Sequence, residues 1–213
     1  MLAMPPKASI SILVFEKDIM QMIEILLQLL FGLLIAGLVY KHYRKREVHD
    51  EERYSTFWPR FWAPSIDSII LWPVSNLLPF LIFKVFPSAF NAASILVTLL
   101  YYAYSIYFHG TRGGTIGKIK CKIKVVSAKN EQKIGLKKAL IRDAIPLLLS
   151  LALYVYILFL EPGEFEDSQY LSIVPVIYGL WFLAEIITML TNKKRRALHD
   201  FLAGTVVVRS RSL

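Results

Sequence analysis

The chain predicts an all-α membrane protein: a bundle of about five transmembrane helices carrying a small cytoplasmic β-sheet or hairpin. Three observations predict it. Five apolar runs approach or reach spanning length, one polar stretch switches to a two-residue period, and Lys and Arg gather on alternate connections. Of 213 residues, 55% are hydrophobic, and the mean hydropathy is +0.49. A soluble domain of this size would not need such runs to build a core. Cys121 is the sole cysteine, which excludes an intrachain disulfide and thiolate-rich metal sites. The four histidines have no HxxxH or HExxH spacing, so no metal signature is present. No basic segment, apolar segment and small-residue cleavage site follow one another at the N-terminus, so no cleaved signal peptide is expected.

The first span is read at Ile19–Tyr40, long enough at 1.5 Å per residue for a hydrocarbon core of roughly 30 Å. Before it, Ser9–Phe15 is apolar but too short to cross. After it come the basic run 41–46 and a polar linker, 47–55. The second span is read at Pro64–Phe86, with Trp58, Phe61 and Trp62 before it suited to an interfacial belt. Pro64 fits a first helical turn. Pro73 and Pro79 lie inside and deprive the carbonyls of Ile69 and Ser75 of their helix donors. A short turn at Pro87 leads to the third span, Ser88–Phe108, so the two form an antiparallel hairpin. Between 110 and 135 the period changes: Ile119, Cys121, Ile123 and Val125 alternate with Lys118, Lys120, Lys122 and Lys124, a strand with one lysine face. Residues 129–132 read as a turn and Lys133–Ile134 as a short return strand. The fourth span is Lys138–Leu160, the acidic loop 161–169 follows, and the fifth span is Tyr170–Leu190. Thr205–Arg209 reads as a strand, expected beside Lys118–Val126. The domain reading is an extension at 1–48 with one extra span, then a four-span unit at 49–209 (spans 64–86, 88–108, 138–160 and 170–190) with a β element at 113–135. The C-terminal strand and tail occupy 205–213.

Twenty-two of the 25 Lys and Arg fall in segments 41–60, 109–142 and 193–213, leaving Lys7, Lys17 and Lys84 for the other side. The positive-inside rule then puts the N-terminus outside and the C-terminus in the cytoplasm of a multi-pass cell-membrane protein. This placement accounts for most of the +9 net charge without nucleic acid. It also gives a basic cytoplasmic face that attracts anionic lipid.

Three stretches carry a family resemblance: Trp58-Pro-Arg60-Phe-Trp-Ala-Pro-Ser-Ile-Asp67, Gly113-Gly-Thr-Ile-Gly-Lys118, and Arg196-Ala-Leu-His-Asp200 continuing to Val208. Together they resemble the RDD family of small membrane proteins over about Tyr54–Arg209. The family's arginine and two aspartates correspond to Arg60, Asp67 and Asp200, and Ile116 stands where the family more often has proline. The resemblance implies a four-span core. Some members of the family are linked to sodium/proton exchange, others to roles beside partner proteins.

The chemistry is concentrated in acids inside apolar runs, which are expensive in a bilayer. Asp67 lies seven residues inside Arg60, Glu185 seven inside Asn192, and Asp143 five inside Lys138. All three then sit about 7–11 Å within the cytoplasmic boundary. Polar stripes at helical spacing accompany them: Tyr178, Trp181, Glu185, Thr188 and Asn192 on the fifth span, Asn91 through His109 on the third, and Asp143, Ser150 and Tyr154 on the fourth. Asp67, Asp143 and Glu185, with Asn91, Tyr178 and Thr188, are the candidates for an ion or proton site. The alternative is that these groups only hydrogen-bond helices together. For Asp67 a further alternative is an acid stabilised by a helix N-terminus. Arg60 and Arg142 are the resident cations. Arg60 is expected to reach toward the interface and Asp200 rather than toward Asp67. Glu24 and Lys84 are expected to pair near the outer ends of their spans. The face bearing Gln21, Glu24 and Gln28 is equally suited to an oligomer contact.

Gly113–Lys118 lacks the first glycine and the final Ser/Thr of a phosphate-binding loop and reads as a turn. His199-Asp200 has no nucleophile motif beside it, so no hydrolase is expected. No cofactor motif is present, and the carboxylates leave room for a monovalent cation. Two functions follow: cation (sodium)/proton-linked transport through the carboxylates, without enzymatic chemistry, or a non-catalytic accessory or scaffold subunit. In the second, the first span and basic face would bind a membrane-protein partner, a second copy or anionic lipid. The shortness of the chain and the lack of an inverted repeat weigh against transport by a single copy.

Overall fold

The computed structural model describes residues 7–158 and 169–210. Helix α1 runs Lys7–Lys45, 39 residues, so the expected span Ile19–Tyr40 is the middle of one longer helix that also absorbs the short apolar run before it. His42, Arg44 and Lys45 fill its last turn, where the helix dipole favours cations. A 3₁₀ turn, Asp50–Glu52, leads to α2, Phe57–Trp72.

Helix α2 begins a full two turns before the expected Pro64. Pro59 takes the tolerated first-turn place, and Pro64 falls in the interior, where it has no N–H for the Arg60 carbonyl. At Pro73 the helix widens into a π-helical segment, Pro73–Leu77, before α3, Leu78–Val85. Side chains also bond to carbonyls at this segment: Ser75 Oγ donates to Leu71 O at 3.1 Å and Asn76 Nδ2 to Trp72 O at 3.3 Å. After a 3₁₀ turn, Pro87–Ala89, α4 returns over Phe90–Arg112.

The expected long strand and its return strand need correcting. Residues Ile116–Lys120 form a short helix, α5, and β1 begins only at Ile123, running to Ser127. Thr115 decides this, because its side chain caps α5 by accepting from the Lys118 N–H. Ile119 and Cys121 therefore precede the strand. Residues 128–132 make a tight loop closed by Ser127 N to Gln132 O at 2.9 Å, and Lys133–Ile134 is not a strand. The partner of β1 is instead β2, Thr205–Arg209, antiparallel, with Val125 opposite Val207.

Helix α6 spans Gly135–Leu158, α7 spans Gln169–Thr191, and α8 is the short Leu198–Ala203. Nearly all of the acidic 161–169 loop lies outside the described residues. Among the described residues, four helical stretches are long and apolar enough to cross a membrane: Met22–Lys45, Phe57–Val85, Asn91–Arg112 and Gly135–Tyr156. Pro175–Thr191 of α7 is a shorter apolar stretch. The fold is thus an all-α membrane bundle with one small sheet.

The buried core lies at the basic end of the bundle. Ala36, Val39 and Tyr43 of α1 meet Ala63 and Ile66 of α2, Cys121, Ile123 and Val125, Ala139 of α6, and Val207 of β2. Val126, Val206 and Val208 cover the other side of the sheet with Tyr54. Most of the apolar surface farther along the helices is exposed, as a lipid-facing surface would be.

Candidate functional site

Arg60 lies on the first turn of α2, Arg142 on the second turn of α6, and Asp200 in the first turn of α8. These three elements converge, and Asp200 is fully buried between the two guanidinium groups. Arg60 Nη1 lies 2.6 Å from Asp200 Oδ2, and Arg142 Nη1 bonds Asp200 Oδ1. Thr205 Oγ1 donates to the same carboxylate at 2.8 Å, and the Ala197 N–H does so at 3.1 Å, closing the first turn of α8. Burial alone would push the Asp200 carboxyl up; Arg142 and Arg60 outweigh it and hold the group well below the usual carboxylate range. Arg196 ties the same corner, with Nε on Thr205 O at 2.8 Å and Nη2 on Asp200 O at 3.0 Å.

Asp67, one turn beyond Pro64, meets no arginine among the described residues. Its carboxylate accepts from Tyr104 Oη at 2.7 Å, Thr115 Oγ1 at 2.6 Å and the Gly117 N–H at 2.7 Å. Three neutral donors thus tie α2 to α4 and to the start of α5. The contact needs a glycine: a Cβ on Gly117 would lie 2.1 Å from the Ala63 carbonyl oxygen.

Asp143 belongs to a different chain of contacts. Ser105 Oγ donates to Asp143 Oδ2 at 2.5 Å and lies 3.1 Å from His109 Nδ1. His109 Nε2 is 2.7 Å from Lys118 Nζ. Burial pushes the Lys118 amine down to about 7, and Arg142 adds to the shift. With the ammonium protonated, Nε2 accepts from it, Nδ1–H donates to Ser105, and Ser105 donates to Asp143. Four titratable or hydroxyl groups are then aligned as consecutive donors and acceptors, the geometry of a proton relay.

Hydroxyl groups continue along the same helices. Tyr102 Oη is 3.3 Å from Ser150 Oγ, which is 2.8 Å from Tyr178 Oη. One turn farther, Thr98 Oγ1 donates to Tyr154 Oη at 3.2 Å. Tyr154 also lines a cleft of about 320 Å³ with Ser75, Asn76 and Ser94, beside the π-helical segment. Three hydrogen-bonded sets, Lys118 to Asp143, Tyr102 to Tyr178, and Thr98 with Tyr154, therefore succeed one another as a polar track along α4 from Lys118 toward the cleft, with no hydrogen bond joining one set to the next among the described residues.

The three acids are not gathered into one site. Glu185 turns to α8, where it accepts from the His199 N–H at 3.2 Å and its Oε2 lies 2.6 Å from His199 Nδ1. Thr188 Oγ1 donates back to Ala184 O at 2.7 Å, within its own helix. Asn91 sits at the start of α4, fourteen residues and roughly 20 Å from Ser105. No ion pair joins Glu24 to Lys84 among the described residues. Helix α1 turns Met22, Ile25 and Leu29 into a cleft shared with Trp72, Leu77 and Phe80, and Glu24 is exposed. Lys84 Nζ stands 5.6 Å from the Phe80 ring. No group of three or more His, Cys, Asp or Glu among the described residues could hold a metal ion.

Sequence reasoning missed Tyr104, Thr115 and Gly117 as partners of Asp67, and Lys118 as the partner of His109. His109 stood on the polar stripe of the third span, so that half was legible. Lys118 was concealed by the apparent strand period.

The family model described as the RDD family matches residues 54–204, more than half of the chain. An uncharacterized membrane protein, YteJ, of Bacillus subtilis (strain 168) is 25% identical over 162 residues, covering 73% of this chain and 80% of the relative. No solved structure matches the chain. The matched region, which holds Arg60, Asp67 and Asp200, places this chain in the RDD family.

Proposed function

We propose that the protein carries out proton-linked transport of a monovalent cation, with Lys118, His109, Ser105 and Asp143 as the proton relay. The observation that carries this reading is the polar track from Lys118 to the cleft at Ser75 and Asn76. The titratable members of such a line are costly in a bilayer, and ionisable groups at this depth mark ion or proton paths. Lys118 titrates near neutral pH, which suits a group that must both take up and release a proton. The neutral oxygens of Ser75, Asn76 and Tyr154 suit a weakly held monovalent cation. Asp67, held by three neutral donors, fixes α5 and hence the position of Lys118. The charge asymmetry supports a cytoplasmic C-terminus and an external N-terminus, with the basic connections drawn toward anionic lipid. A chain this short, without an inverted repeat, acts as an oligomer in this reading.

The test uses purified protein in liposomes loaded with a pH-sensitive dye. Addition of sodium or another monovalent cation is expected to dissipate a preset pH gradient. Lys118→Met and Asp143→Asn are each expected to lower the rate on the order of 10²-fold, the usual contribution of a positioned proton-transfer group. Parent protein that moves no protons with any monovalent cation would give way to the accessory-subunit reading. That reading draws on the complete pairing of Asp200 and on α1, which precedes the matched region.

A further inference from the structure

We propose that the cleft between the start of α2 and the end of α7 binds one phospholipid whose headgroup joins an anionic phosphodiester to a free hydroxyl, as in phosphatidylglycerol. This is a discrete site, distinct from diffuse attraction to the basic face, and it does not depend on proton movement.

The argument begins at Arg60. Its side chain is only 8% exposed, and Nη1 is committed to Asp200. Nε and Nη2 have no hydrogen-bond partner among the described residues. Those two nitrogens form one edge of the guanidinium, with near-parallel N–H groups that match two oxygens of a phosphate or carboxylate. Buried donors are ordinarily satisfied. Arg60 lines a cleft of about 320 Å³ together with Phe61, Trp181, Phe182, Ile186 and His199.

His199 supplies the second half of the recognition. Its Nδ1 faces the Glu185 carboxylate at 2.6 Å and holds the ring proton there. Burial and Arg142 lower its pKa, which favours the neutral ring. Nε2 is then an acceptor, and it has no hydrogen-bond partner among the described residues. Two donors from Arg60 and one acceptor from His199 call for an oxyanion next to a hydroxyl. A choline headgroup has no hydroxyl to give. Glu185 also lines the cleft; its Oε1 accepts the His199 N–H and its Oε2 lies 2.6 Å from His199 Nδ1, an ion-pair contact, so its charge is turned toward His199, and the cationic run Lys193–Arg196 follows α7 at the same end.

The rest of the cleft is apolar. Phe61 is 52% exposed and Phe182 55%, so the wall below Arg60 opens to where hydrocarbon chains would lie. A polar corner above an open apolar wall, at the end of a spanning helix, fits an amphiphile rather than a free ion.

The experiment is native mass spectrometry of the full chain, released at high salt from micelles containing phosphatidylglycerol or phosphatidylcholine. Inorganic phosphate is added as competitor. High salt screens diffuse attraction. One retained phosphatidylglycerol per chain is expected, with phosphatidylcholine and phosphate failing to replace it. Arg60→Lys keeps a cation beside Asp200 but lacks the two-N–H edge, and it is expected to weaken retention about tenfold or more. Ile186→Trp fills the apolar wall and is expected to do the same without touching the Asp200 contacts. If Arg60→Lys does not fold, Ile186→Trp decides alone. Unchanged retention in the folded variants, equal retention of the two lipids, or displacement by inorganic phosphate would each overturn the proposal.

Discussion

At Gly117 the lack of a side chain lets the start of α5 rest on α2. A Cβ there would press 2.1 Å from the Ala63 carbonyl and 2.8 Å from Asp67 Oδ2, and neither can retreat without parting the elements. Gly117→Ala is therefore expected to destabilise by about 3 kcal/mol, read as a lower melting temperature in detergent. Thr115→Val removes one donor from a buried carboxylate and should cost roughly 1–3 kcal/mol. A null effect in both would mean that Asp67 does not depend on this loop. Lys118 gives a pH signature. Its amine is lowered from the usual 10.5 to about 7, so between those values the unfolded chain binds a proton that the folded chain does not. Unfolding takes up a proton across that window, and stability rises with pH from about 7 toward 10.5. Below about 7 both states are protonated and the cost of the buried charge is fully present. Lys118→Met should flatten the rise, and a melting curve that responds to pH equally in parent and variant would count against it. Asp67 was visible in the sequence as an expensive acid, but its partners were not. Tyr104 lies off the polar stripe of α4, and an N–H from Gly117 leaves no mark in a sequence.

At the scale of elements, one aspartate joins α2, α6, α8 and β2. The sequence pointed to Arg60 and Asp200; the second arginine emerges only because α6 brings Arg142 beside them. This changes what substitutions should do. Asp200→Asn leaves two buried guanidinium groups facing each other and should cost on the order of 3–5 kcal/mol. The exchanged pair Arg60→Asp with Asp200→Arg would set the new arginine against Arg142, so it should recover little of that loss. Substantial recovery, measured as the coupling in a double-mutant cycle, would show that Arg142 is not held there. The sign of the acid response follows from the lowered Asp200 carboxyl. Its stabilisation is fully present above the ordinary value of 3.8 and is lost only as pH falls through its lower folded value. The apolar spans were legible because length and composition alone define them. The strand was only partly legible. Lysine alternation runs unbroken through 118–124, and the cap at Thr115, which makes 116–120 helical, is one residue acting against a seven-residue pattern.

For the whole molecule, every statement about an inside and an outside rests on where 22 of 25 basic residues lie. The native thiol cannot report this. Cys121 is fully buried in the core beneath the sheet, and burial pushes it up to about 12, so it reacts slowly from either side of the membrane. An introduced cysteine must stand on exposed surface. Asn130 does so, at the loop after β1, and the sheet ties that loop to the C-terminal strand through Ala128 N to Gly204 O at 2.9 Å. Asn130→Cys therefore reports for the central connection and the tail together. Placed in a Cys121→Ser background, it is expected to resist a membrane-impermeant thiol reagent in intact cells and to label once the membrane is opened. A cysteine placed within 163–168 is expected to label in intact cells, since that acidic stretch carries no Lys or Arg. Labelling of Asn130→Cys from outside would invert the bundle. Lys118 would then face the exterior, and the Lys118 end of the proposed relay would open to the opposite side of the membrane.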